Sequence, residues 1–525
     1  MESKASPKLA PWSRRGFSCS LLLGLAWPWT AHARQENKEA AASSYQSFTP
    51  YDFGAKGDGV ADDTKACNAA AARAQETQGE LLFPEGTFAI SDYVVVRNGV
   101  RRVTGRGGVI RCVNAKNDAG LLLASSAAGR YDAVKNCTVE GLRIDCNGGR
   151  TARTNAIYGQ NVSDCEIVNN HIFGLVNGYG VLVRVLAKGG SQSSGNTIRG
   201  NRIDADTGEK PACWGITVDA ELAFDGASAN APEEWRSRFM AGRPAHPTEN
   251  HLIEENRVTG GYYGLSLSGV RRCIARRNLF ALNVRNVSAQ NGCTGNLIED
   301  NECVDSISSS VHLAYGSSEN RVLRNRITTR RAKGEGLLQA YVGSASNVFE
   351  GNSVEATEQA SPMYFVYTGV HADRNQFIGN QLAGKCSRAY VAVESGFNPA
   401  STDPTHRTAG LRPDAGHMAG RGMSGVVISG NRIVAASGVP AIYLAQISDD
   451  RGAYPLKECI VKNNVVRVPP EGICLKLVEN TEGQLSDLVF ENNQFPPDAR
   501  ERQFQIPRGA AHFRTLADNI NLRVR

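Results

Sequence analysis

The sequence predicts an all-β chain wound into a parallel β-helix of about 13 coils, and three observations lead there. A short phrase keeps returning, as in Asn250 to Asn256, Asn320 to Asn325 and Asn375 to Asn380. Its second Asn falls at 256, 278, 301, 325, 352 and 380, in steps of 22 to 28 residues, a period typical of stacked repeats. Each phrase alternates apolar and polar residues around a bend, which is strand chemistry. The bend Asn is expected in the left-handed backbone region, with its amide bonded to the next coil's, as in other Asn ladders. The 54 glycines and 7% aromatic content suit a turn-rich β protein.

Charge is nearly balanced. The formal net charge is +6, and half of it lies in residues 1–33, where Lys4, Lys8, Arg14 and Arg15 stand against Glu2. So small an excess argues against nucleic acid or an anionic membrane as partner. Residues 1–33 read as a signal peptide: Arg14-Arg15, an apolar run from Cys19 to Trp29, then Ala31-His32-Ala33 before Arg34. The paired arginines resemble a twin-arginine export signal, with the general secretory route left open by Ser18 and Cys19. The run is too short to span a bilayer, so a periplasmic or secreted location is expected.

Thirteen cysteines in an exported chain would ordinarily mean disulfides. Here Cys137, Cys165, Cys273 and Cys459 occupy the slot that Asn296, Asn320, Asn347 and Asn375 hold in other coils. Residues in one column stack, so mostly free, buried thiols acting as small apolar groups are expected. No cysteine or histidine spacing points to a metal. No cofactor is expected, and assistance by Ca²⁺ is left open.

Residues 34–48 read as a linker, and 49–525 as the β-helix domain with an N-terminal cap over 49–90. In the cap, Gly57 and Gly59 flank Asp58 in a turn, Asp62 or Asp63 is the N-cap of a helix over 64–78, and Gly79 stops it. Asp52-Phe-Gly-Ala-Lys-Gly-Asp-Gly59, Asp62-Asp63-Thr64 and Phe83-Pro-Glu-Gly-Thr87 together resemble the opening of the pectate-lyase-like right-handed β-helix superfamily. That group includes polygalacturonases, rhamnogalacturonases and mannuronan epimerases. The resemblance implies a right-handed solenoid with a capped end, and it specifies fold rather than reaction. The tail after Pro496 is expected to fold back over the last coil.

Each coil holds a further strand, often opened by an aromatic residue and Gly, as at Tyr179-Gly180, Trp214-Gly215 and Tyr263-Gly264. In the superfamily this strand type forms the sheet that binds sugar chains. Period-two alternation is expected to put Thr217, Ser266, Asn283, His312 and Gln339 in one outward column. A second column then holds Asp219, Ser268, Arg285, Ala314, Tyr341, Tyr367 and Glu394. Two insertions, roughly 220–249 and 396–424, follow this sheet and are expected to wall a cleft with an open floor around His312.

Inverting glycoside hydrolysis needs two carboxyls about 6.5–9.5 Å apart. Asp219 and Glu394 lie some six coils apart, and the Asp and Gly-His-Gly positions of polygalacturonases have no counterpart around Ser308-Ser309-Ser310. Asp305 alone keeps a hydrolase reading open. Proton abstraction beside a uronate carboxylate needs a base, a carboxylate neutraliser and a proton donor. His312, Arg285 and Tyr341 are the candidates for these roles, with Asn283 and Gln339 polarising the acid. Asp219, Tyr263, Tyr315, Tyr367 and Glu394 are candidate substrate contacts. The expected function is a lyase or C5-epimerase acting on an acidic polysaccharide. A glycoside hydrolase and a non-catalytic carbohydrate-binding rod are the alternatives, and oligomeric state is not indicated.

Overall fold

The computed structural model describes residues 45–113, 119–124, 133–146, 154–186, 192–205, 211–220, 248–357, 359–396, 422–449, 452–507 and 512–522. The expected signal peptide, most of the linker and most of both insertions lie outside them. Three long parallel sheets run the length of the described chain, of 16, 14 and 15 strands, here called A, B and C. Successive coils contribute one strand to each, which is the expected parallel β-helix. The interior is one continuous apolar core built from the inward residues of all three sheets, among them Ile298, Phe349, Phe377 and Leu313.

The repeated phrase supplies the strands of A and B, and the ladder holds the corner between them. Asn325 shows the pattern: its backbone and side-chain N–H groups donate to Asn352 Oδ1 at 2.9 and 3.0 Å, and Nδ2 also donates to Ile298 O at 2.9 Å. The same chain of bonds runs from Asn170 to Asn519. It crosses both insertions, since Asn201 donates to Asn256 Oδ1 and Asn380 to Asn431 Oδ1. The described coils on either side of each insertion are therefore direct neighbours in the ladder.

One backbone expectation is corrected. The ladder asparagines are not left-handed; the residue before each one is. Glu255, Arg277, Asp300 and Arg324 have φ of 52–58°, and Gly351, Gly379 and Gly430 fill the same position. That residue makes the bend, and Asn then turns its amide into the solenoid.

A second, shorter ladder runs Asn296, Asn320, Asn347, Asn375. His251 holds the same slot two coils earlier, beyond Cys273, set between Thr248 Oγ1 at 2.6 Å and Asn196 Nδ2 at 3.2 Å. Burial pulls its imidazole down from 6.5 to about 3. Because the unfolded chain binds the proton more readily, stability is intact above pH 6.5 and is lost as pH falls toward 3. At about pH 5 the loss from this group is on the order of 2 kcal/mol. Asn continues the ladder elsewhere, so His251→Asn should flatten urea-unfolding stability between about pH 5 and 8 by that amount.

The twelve described cysteines are all free and buried, as expected, and burial pushes Cys165, for example, up to about 11. Thiol reagents should leave these twelve unmodified in the native protein and label them on unfolding.

At the N-terminal end, α1 (Thr64–Glu76) lays Cys67, Ala70, Ala71 and Ala74 on the open coil. Asp62 Oδ1 accepts from Thr64 N at 3.0 Å, while Asp63 takes Lys56 N and Gly57 N at 2.7 and 3.0 Å. Asp58 accepts from Val60 N and Ala61 N. The acidic cluster thus fixes the cap's turns. Ser47–Phe48, expected as linker, pairs with Glu80–Leu81 and starts sheet A. The tail does not fold back as expected: Phe504–Gln505 and Phe513–Ala517 extend sheets C and A by one more strand each.

Candidate functional site

Sheet C has one face in the solenoid core and one outside it. The outward residues form clusters of their own, separate from the interior: one around Tyr158, Tyr179 and Leu182, another around Ala314, Tyr341, Tyr364 and Tyr367. The aromatic-Gly motif explains how the rings turn outward. A Cβ at Gly264 would sit 2.6 Å from Asn286 O, so only glycine lets the next coil close on the strand after Tyr263.

Strand register places Ser266, Ser288, His312, Gln339 and Tyr367 in one outward column. The neighbouring column holds Asp219, Ser268, Gln290, Ala314, Tyr341, Gly369 and Glu394. The expected columns were right except in two coils. In the first, the strand is Arg285–Gln290 rather than 282–285. Asn283 lies before it, wholly buried, bonding Gly261 N at 2.9 Å and Asn286 Oδ1 at 3.0 Å. It holds the turn and has no place in the site. Arg285 moves five residues from its expected place beside Ser268, to lie level with Tyr263. In the second, Tyr367 belongs to the His312 column.

Arg285, His312, Gln339 and Tyr341 do come together, with Glu335 and Ser309 added. Arg285 donates to Glu335 Oε1 at 2.7 Å. Glu335 Oε2 accepts from Ser309 Oγ at 2.6 Å and Gln339 Nε2 at 3.2 Å. His312 is held at both ring nitrogens, Nδ1 3.0 Å from Ser288 Oγ and Nε2 3.2 Å from the Tyr341 hydroxyl. Arg285 also reaches the Tyr263 hydroxyl at 3.5 Å, and its buried Nε has no hydrogen-bond partner.

The expected open floor is corrected. His312 has no exposed surface, and Arg285, Gln339 and Tyr341 keep 8, 4 and 3%. Tyr315, half-buried beside Tyr341, is the member of the group with the most exposure. Burial sets the electrostatics. Desolvation, aided by the Arg285 charge, holds the His312 imidazole well below its usual value, so it is neutral at pH 7. Burial raises the Tyr341 phenol well above its own. Burial alone would raise Glu335, but Arg285 and the bonded donors bring it down to about 2.

The remaining candidates are engaged with protein groups. Asp219 accepts from Arg184 at 2.8–2.9 Å. Glu394, fully buried, is 3.2 Å from the Tyr364 hydroxyl, 3.4 Å from that of Tyr367 and 3.3 Å from Arg388. Tyr263 stands between Trp214 and Tyr262. Asp305 is bound by the Arg330 backbone and guanidinium at 2.5–3.1 Å, in the turn before the Ser308–Ser310 stretch.

Glu335 is the residue that sequence reading missed. It sits in a Gly334-Glu335-Gly336 turn that looks like loop, and only its position one residue ahead of the strand Gly336–Tyr341 carries a signal.

Residues 51–102 match the family described as rhamnogalacturonase A/epimerase, pectate lyase-like, and residues 245–398 match periplasmic copper-binding protein (NosD). The resemblance of the opening segment therefore holds. No curated protein matches the chain. Among solved structures, the chain is similar to a tailspike double mutant of E. coli bacteriophage HK620 in complex with pentasaccharide, at 11% identity and a TM-score of 0.57, covering 90% of this chain and 78% of that one. It is also similar to the Azotobacter vinelandii mannuronan C-5 epimerase AlgE6 A-module, at 14% identity, TM-score 0.47 and 91% and 100% coverage. At 11% identity the likeness to the tailspike shows the fold alone.

The copper in the second family's description does not fit the described residues. Among them no three His, Cys, Asp or Glu side chains converge as metal ligands. In the matched stretch both ring nitrogens of His251 are taken up, and the thiols of Cys273, Cys293, Cys303 and Cys386 are pushed upward by burial.

Proposed function

We propose that this chain converts an acidic, uronate-containing glycan by proton abstraction beside the carboxylate, as a lyase or C5-epimerase, on the outward face of sheet C. We place this activity outside the cytoplasm, on the strength of the Arg14-Arg15 signal. The observation carrying the reading is the neutral imidazole of His312, 3.2 Å from a phenol that stays protonated and beside an arginine with an unused buried N–H.

In this chemistry Arg285 pairs with the substrate carboxylate, which acidifies the adjacent C–H. With Nδ1–H given to Ser288 Oγ, His312 takes that proton at Nε2 once the Tyr341 hydroxyl turns away from it. Tyr341 delivers its own to the leaving oxygen on the same side of the sugar; an epimerase reaction takes its second proton from a donor on the opposite side. Gln339 and Ser309 hold Glu335, which keeps Arg285 in place. Because His312 has no exposed surface, a sugar ring reaches it only after a neighbouring side chain moves.

A panel of uronate polysaccharides tests the reading, with absorbance of the unsaturated product reporting a lyase and altered uronate stereochemistry in NMR reporting an epimerase. The pH profile is a second check. The acid limb of kcat/KM should fall well below pH 6.5, because His312 stays unprotonated there. A limb centred on 6.5 would assign the base to another group.

A second reading, a non-catalytic glycan-binding rod, draws support from the complete burial of His312 and the internal pairing of Arg285. Binding without product would establish it.

A further inference from the structure

Two more charged pairs share the outward face of sheet C with the central cluster, one on each side. Toward the N-terminal end, Arg184 is bonded to Asp219, and Trp214 stacks on Tyr179 with centroids 4.8 Å apart and planes at 18°. Toward the C-terminal end, Arg388 reaches Glu394 at 3.3 Å and lies 5.7 Å over the Tyr364 ring, with Tyr443 alongside on the next strand. In the order of sheet C, the strands of Asp219 and Glu394 each lie three positions from the strand of His312. At the parallel-strand spacing that is about 14 Å on either side.

The flanking pairs differ from the central one in exposure. The side chains of Arg285 and Glu335 keep 10% each, whereas Arg184 keeps 27% and Arg388 26%. Trp214 and Tyr443 are half-buried. Each flanking group therefore leaves part of an aromatic ring exposed, Trp214 between Tyr179 and a more distant Tyr263 and Tyr443 at the other end, in a group with an arginine whose charge is already balanced. An aromatic face suits the C–H side of a sugar ring, and a paired guanidinium can still donate to ring hydroxyls. Neither group supplies an unpaired charge; Lys476 lies one strand beyond Tyr443, outside the second group.

We propose that these two groups are sugar-binding stations that read ring hydroxyls and C–H faces on either side of the central cluster. The ligand is then an oligosaccharide lying along the solenoid axis. Trp214 and Tyr443 are seven strand steps apart in sheet C, so a chain engaging both spans on the order of 34 Å. This places the reaction within a chain rather than at its end, and it takes the position of the central sugar from the reading above.

The test is calorimetric binding of size-fractionated oligosaccharides from alginate, polygalacturonate and hyaluronan to the full-length His312→Ala protein, which leaves them intact. Circular dichroism confirms folding; should that variant not fold, wild-type KM over the same length series takes its place. Affinity should climb with length until both stations are filled. Trp214→Ala and Tyr443→Ala should each weaken the longest oligomers about tenfold while leaving the shortest unchanged, and these losses should be the same at low and high salt. Affinity that does not depend on length, losses shared equally by short and long oligomers, losses that vanish in high salt, or no binding at all would each overturn the proposal. Length-dependent binding by a wild type that forms no product keeps the stations and removes the reaction. Product formed without length dependence does the reverse.

Discussion

His312→Ala should lower product formation from a uronate polysaccharide by about 10²–10⁴-fold, the usual contribution of a positioned acid or base, while substrate affinity stays within a small factor. The imidazole bonds Ser288 and Tyr341 through its two ring nitrogens and lies against the Tyr341 ring. Its loss leaves a cavity on the outward face of sheet C and does not reach the core, where the flanking Val311 and Leu313 point. Tyr341→Phe separates the roles further. It keeps the ring and removes the proton donor, so kcat should fall with KM little changed. If His312→Ala lowers affinity and rate together, the residue shapes the binding surface and another group takes the proton.

Glu335→Ala should destabilise the fold by about 3–5 kcal/mol, because it strands the Arg285 guanidinium in a buried site without its counter-ion. The hydroxyl of Ser309 loses its acceptor as well, and the amide of Gln339 loses one of its two. Urea unfolding at neutral pH measures the loss directly. The sign with pH follows from the carboxyl, which falls from 4.5 to about 2 on folding. Its contribution is full above pH 4.5 and disappears as pH drops toward 2, so wild type and variant should converge in acid. Replacing both partners with apolar residues of similar size should recover much of the loss.

The fold was legible in the sequence because a solenoid repeats its reasons. Every coil restates the Asn and the alternation, so an error in one coil is corrected by its neighbours, and the unbroken amide chain from Asn170 to Asn519 is the result. The bend conformation was misassigned to Asn because the residue before it varies in type; Glu255, Arg277 and Gly351 share a left-handed φ and no side-chain chemistry. The site was less legible. Leu282-Asn-Val-Arg285 alternates as well as Arg285-Asn-Val-Ser-Ala-Gln290 does, and only pairing with Tyr263–Ser268 decides between them. That choice moved Arg285 and removed Asn283. Burial was invisible for another reason. Polar residues in an outward column look solvent-facing by alternation, yet His312, Gln339 and Glu394 are covered, and covering depends on residues remote in the chain.

The most direct measurement is deuterium incorporation at C5 of uronate residues when the polysaccharide is incubated with the protein in heavy water, read by NMR beside absorbance of the unsaturated product. The wild type should show exchange, new double bonds or both, and His312→Ala should show neither while remaining folded. Exchange undiminished in His312→Ala, or chain scission with new reducing ends and neither label nor double bond, would contradict proton abstraction by this imidazole.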